Sequence, residues 1–109
     1  MNIINHIADC LSELNVPVLW NLRPNTFPSI TFTVFLSQPE YYGDGKVKGI
    51  RHYIQVDVWS KNDYTGLVNS VNTALRQYEF IKQSEGDSFE PEVNVYHKIM
   101  KFNYMEGEL

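Results

Sequence analysis

The side chains best suited to chemistry in this sequence are three histidines and one cysteine, and none sits in a pattern that chemistry requires. His6, His52 and His97 fall on three separate predicted elements, without a second His, Cys or carboxylate at the spacing of a zinc motif. Each is read as a structural histidine, and neither a metal nor a cofactor is expected. Cys10 lies beside an apolar stripe, where a free cysteine behaves as a small hydrophobe. A nucleophilic role would need a base and an electropositive setting that spacing alone does not supply. Gly43, Gly45 and Gly49 lack the Gly-Lys-Ser/Thr ending of a phosphate loop and do not lead into a helix. No catalytic residue is assigned.

The remaining candidates are recognition residues. Tyr41 and Tyr42 stand among charges beside Lys46 and Lys48 in a glycine-containing stretch, Gln38 to Gly49, which reads as a long hairpin connection. Its lysines read as solvating charges at the tip, and the alternative is a mobile arm that orders on a partner. Asp57 shares a predicted strand face with Tyr53, Gln55 and Trp59. It is either a half-exposed sheet residue or an interface group paired with a basic residue of a neighbouring subunit, since a charge in a sheet needs water or a partner. The segment Glu85 to Glu92 reads as a solvated acidic loop. In a ring, the same charges could line a channel and repel passing DNA.

A chain of 109 residues is the size of one domain, 1–109. The 14% aromatic content argues against disorder, and a net charge of −4 disfavours nucleic-acid binding, which rests on clustered Lys and Arg. With a single cysteine there is no intramolecular disulfide, so a cytoplasmic site of synthesis fits. The start of the chain lacks a basic, signal-like region and no apolar run is long enough to span a bilayer; neither secretion nor membrane insertion is expected.

Periodicity supplies the elements that must position these residues. Ile3, Ile4, Ile7, Ala8, Leu11 and Leu14 form one helical stripe over about Asn2 to Leu14, ended by Asn15 and Pro17. Val18 to Trp20 reads as a short edge strand. Ser29 to Leu36 alternates with Ile30, Phe32, Val34 and Leu36 on one face; Arg51 to Trp59 alternates with His52, Ile54, Val56 and Val58 on one face. These two strands should pair antiparallel. After possible caps in Ser60 to Asp63, a helix carries Leu67, Val71 and Leu75 toward the core. Phe80-Ile81 can begin a short strand, and Val93 to Met105 a last one. The fold class expected is α+β, with two helices packed on one face of a largely antiparallel sheet of four to five strands. The other face is left with Phe35, Tyr53 or Trp59 available to something else.

The run Tyr53-Ile-Gln-Val-Asp-Val-Trp-Ser60, with Lys-Asn-Asp-Tyr and the helix Thr65 to Tyr78 after it, resembles the small tail-completion proteins of long-tailed phages and prophages. These are related in fold to tail terminators. Gln55, Asp57, Trp59, Ser60, Ala74 and Leu75 occupy that pattern's places, and Val95 to Tyr104 is similar to the family's last strand. Residues 21–50 match nothing diagnostic. The resemblance implies a structural, non-enzymatic virion subunit that caps the head-proximal end of the tail tube and helps join tail to capsid. It commonly works as a homo-oligomeric, often hexameric, ring. Its partners would be the tail-tube and head-tail connector proteins, with DNA passing through the ring, and it would reside in the host cytoplasm during assembly and then in the virion tail. Interface candidates are Tyr41, Tyr42, Lys46, Lys48, Tyr53, Asp57 and Trp59. The alternative is a small ferredoxin-like ligand-binding regulatory or enzyme domain.

Overall fold

The first helix starts where the Asn2 side chain accepts the otherwise orphaned N–H groups of Ile4 and Asn5, at 3.0 and 3.2 Å. The computed structural model describes residues 1–107. Helix α1 spans Ile3–Leu11 and tightens into a 3-10 turn, Ser12–Leu14, that stops at Asn15 in the left-handed region. Five strands and a second helix follow: β1 Val18–Trp20, β2 Ser29–Tyr41, β3 Val47–Ser60, α2 Thr65–Gln77, β4 Ile81–Glu90 and β5 Val95–Glu106. The sheet order is β1-β2-β3-β5-β4. Every neighbouring pair is antiparallel except β1 with β2. This is the expected α+β arrangement.

Asp63 accepts the Thr65 N–H at 2.9 Å and opens α2. The far end closes without glycine: Glu79 takes φ 69°, its N–H reaches the Arg76 carbonyl, and the Phe80 N–H reaches that of Leu75. These two bonds satisfy terminal carbonyls, and the chain leaves with Phe80 turned into the core. Ile7 and Leu11 of α1 and Val68, Val71 and Leu75 of α2 then cluster on Ile30, Phe32, Ile54, Val56, Val58, Met100 and Phe102 of the sheet. Val68 rather than Leu67 is the buried residue of the first turn of α2; Leu67 packs at the core's margin.

Three expectations are corrected. The acidic segment is not a loop: through Glu90 it is β4, an exposed edge strand paired with β5. Its acids find partners on three elements: Lys98 Nζ of β5 and Lys82 Nζ of β4 itself each lie 2.6 Å from Glu85, and the Tyr64 hydroxyl donates to Asp87. Local sequence could not show this, because Lys98 and Tyr64 come from other elements. The Gln38 to Gly49 connection is mostly strand, with β2 and β3 continuing as a two-stranded arm and only residues 42–46 forming the tip. Leu36 leaves the face of Ile30 and Phe32, because a bulge between Val34 and Leu36 sets Leu36 opposite Tyr53.

The element order also departs from the β-α-β-β-α-β order of a ferredoxin-like sheet. The β3-α2-β4 unit does straddle β5, but β1 joins β2 through residues 21–28 without a helix.

Candidate functional site: the second sheet face and its arm

One sheet face is sealed by the helices, so recognition by the sheet must use the other. At one end, that second face is closed by the connection of residues 21–28, where Pro24 is buried. Trp59 lies there and is only 6% exposed. Its ring stacks on His97 at 3.7 Å between centroids, its Nε1–H donates to Thr31 Oγ1 at 2.8 Å, and the Arg23 guanidinium covers it at 5.3 Å. Arg23 is itself tied to Glu90. Trp59 is therefore part of a second, smaller core and not the available aromatic that alternation suggested. Alternation names the face a side chain leaves by; it cannot show that a distant loop folds over it.

Asp57 faces this second core. It accepts from Gln55 Nε2 at 3.1 and 3.2 Å, and lies 3.2 Å from His97 Nε2. The His97 contact is close but badly angled, and that nitrogen makes no aligned hydrogen bond. Asp57 thus has partners within its own chain, including a base.

Beyond Trp59 the face is bare. Phe35 and Leu36 are 50% and 46% exposed, with Tyr53 half-buried at 6.3 Å from the Phe35 ring and Lys101 Nζ 5.6 Å from it. The bulge makes this patch, since it places two successive large apolar residues where regular pleating would show one.

Past the patch, the arm leaves the sheet. Its root is stitched on both faces. On the second face Arg51 holds Glu40 of β2 and, at 2.5 Å, Asn103 of β5. The guanidinium holds the Glu40 carboxyl below its ordinary range. On the helix face, buried His52 shares a 2.6 Å hydrogen bond with Ser37 and a 3.0 Å contact with Glu106. Gly49 lets the end of β5 lie against the ribbon, because a Cβ there would sit 2.4 Å from the Glu106 carbonyl oxygen. At the tip, Tyr42 N–H donates to the Lys46 carbonyl at 2.7 Å, Gly45 takes φ 85°, and Asp44 accepts the Lys46 N–H at 3.1 Å. Tyr41 is 59% exposed, opposite Val47. Lys46 and Lys48 are exposed.

The structure thus divides the candidates. Tyr41, Tyr42, Lys46 and Lys48 gather on the arm, Tyr53 lies beside the bare patch, and Asp57 and Trp59 belong to the closed end. Leu36, Arg51, Glu40 and Asn103 were not singled out by sequence. The signal for Arg51 lay in its spacing from Glu40 across a hairpin, legible only once the register is known.

Other places offer less. His6 Nε2 lies 3.9 Å from Cys10 Sγ, one helical turn away, but burial and then Asp9 push the thiol pKa up, the wrong direction for a nucleophile. Among the described residues, no three His, Cys, Asp or Glu side chains form a metal-ligand group. A cleft of about 510 Å³ between α2 and β4 has Phe80 and Phe102 on its wall and Arg76 and Lys82 in its lining. Among the described residues, no helix is long and apolar enough to cross a membrane.

Neither a protein-family model nor a curated protein matches the chain. Among solved structures, a chain of "Virion of native gene transfer agent (GTA) particle" is similar, with a TM-score of 0.50 and 8% identity over 94% of this chain and 84% of that one. At that identity the likeness is one of fold: nearly the whole chain follows a fold found in a gene transfer agent virion.

Proposed function

We propose that the protein is a structural subunit of a phage-type virion, a tail-completion or tail-terminator-like protein that assembles as a ring on the head-proximal end of the tail tube. The observation that carries this reading is the likeness of fold, at a TM-score of 0.50 over 94% of this chain, to a gene transfer agent virion chain. Two features agree with it. The resemblance of Tyr53 to Ser60 and of the following helix to tail-completion proteins rests on residues, and so is separate from the backbone comparison. The bare patch and arm also offer a subunit two surfaces for neighbours.

The test mixes purified protein with tail tubes assembled from the tube protein encoded nearest its gene. Electron microscopy and co-sedimentation should show it at one end of each tube, as a ring. Absence of end decoration across the accessible concentration range would overturn the reading. Binding along the whole tube would overturn it equally.

A further inference from the structure

The two helices leave one edge of the sheet uncovered: β4, beyond β5, is exposed along nearly its whole length. The 510 Å³ cleft between α2 and β4 continues there into a second of about 320 Å³, with Asn69, Asn72 and Lys82 in the walls of both. Together they form one groove that follows α2 from Arg76 back to Thr65, about 16 Å at the helical rise. It is closed at the Arg76 end, because α2 stops at Gln77 and the chain returns through residues 78–80 as β4 from Ile81. The closed end has an apolar floor of Phe80, Ile81 and Phe102, and its charged groups are Arg76 and Lys82, with no carboxylate in its lining among the described residues. Lys82 is held by Glu85. Arg76 differs from the other two arginines: Arg23 holds Glu90 and Arg51 holds Glu40, whereas Arg76 pairs with no acid among the described residues. On the opposite side of α2 the cleft is lined by Asp9 and Glu13 without a base, so the positive end belongs to this groove alone of the two.

We propose that this groove takes the C-terminal end of an extended partner peptide, with the terminal carboxylate on Arg76 and the last apolar side chain on the floor of Phe80, Ile81 and Phe102. Three features select that occupant. The groove is long and narrow, with room for about four to five residues of extended chain. Its closed end admits a chain only where that chain stops, and a guanidinium at the stop favours a terminal carboxylate over a terminal ammonium. Along the α2 wall, Asn69 and Asn72 present amides, which offer both a donor and an acceptor. An extended backbone needs both kinds of partner, and a small apolar acid needs neither. Charge agrees with shape, since a carboxylate meets an unpaired cation where no acid lines the wall. The inference stands apart from the function proposed above, because it concerns a different surface from the arm and the second sheet face.

Amide chemical shifts of the isotope-labelled full chain read the contact directly. The probes are the tetrapeptide acetyl-Ser-Thr-Val-Leu with a free C-terminal carboxylate, the same peptide amidated at that end, and 4-methylpentanoate, which keeps the leucine body and the carboxylate but has no backbone. The free acid should give saturable shifts at Asn69, Asn72, Arg76 and Ile81, with a dissociation constant of about 1 mM. Amidation should weaken binding by about fivefold or more, and Arg76→Gln should do the same to the free acid while leaving the amidated peptide unchanged. Thr73 is exposed on α2 and lines the cleft, so Thr73→Trp should block it and remove the shifts while circular dichroism shows the fold retained. The groove is overturned by the absence of saturable shifts up to about 10 mM peptide, or by shifts confined to the second sheet face. Equal affinity of acid and amide overturns the terminal carboxylate, as does an Arg76→Gln variant that weakens both alike. Binding of 4-methylpentanoate as tight as that of the peptide makes this a site for small apolar acids and overturns the peptide. Tube-end decoration without peptide binding removes this groove and leaves the proposed function standing; peptide binding without decoration does the reverse.

Discussion

At Trp59 one side chain links two strands and a loop. Its indole N–H satisfies the buried Thr31 hydroxyl, and its faces are covered by His97 and Arg23. Trp59→Phe keeps a ring to stack on but removes the donor, and should cost about 1–2 kcal/mol in urea unfolding. Gly49 is a second position where one atom decides. Adding a methyl group puts it 2.4 and 2.8 Å from the carbonyl oxygens of Glu106 and Gly107. Backbone must move, so Gly49→Ala should destabilise by about 1–3 kcal/mol. Gly43→Ala, in open space, should change stability by less than about 0.5 kcal/mol in the same assay.

Among the elements, β4 shows how a strand dense in charge can remain at a sheet edge. Hydrogen bonds from Lys82 and Lys98 hold the Glu85 carboxyl at a pKa of about 2, well below its ordinary 4.5. A group depressed on folding contributes stability that is complete above its unfolded pKa and is lost as pH falls through the folded one. The margin of wild type over Glu85→Gln in unfolding midpoint should therefore be largest near neutrality and shrink as pH falls from about 5 to about 2. Added salt should reduce the margin, since the pair is exposed. A margin that does not change with pH would mean that the Lys82 and Lys98 contacts carry no weight. The same charges also protect an open edge from pairing with other strands.

For the whole molecule, shape is the property that the arm controls. The extents are 52 × 25 × 21 Å and the Cα radius of gyration is 15.0 Å, against about 13 Å for a compact chain of this length. Replacing residues 41–47 by a two-residue turn should bring the small-angle scattering radius of the monomer down toward that compact value. Helix content should hold, because neither helix touches the arm residues through the core. A radius that stays unchanged would mean that the arm is folded against the body in solution.

Periodicity by itself determined the helices, the main strands and the core, because local alternation reports which side chains must leave water. Ile54, Val56, Val58, Val71 and Leu75 all lie where spacing put them, fully buried. What spacing could not decide depended on contacts between segments distant in the chain. Trp59 is covered by Arg23, contributed from a stretch with no pattern, and by His97 of β5. Glu85 lies in a strand because Lys98 and the β5 backbone lie beside it. Leu36 is exposed because one bulge reversed the alternation beyond it. The root of the arm is held because Arg51, Glu40 and Asn103 meet across three strands. In each case the deciding energy is a pairing or a covering between residues far apart in sequence, and only the folded chain brings them together.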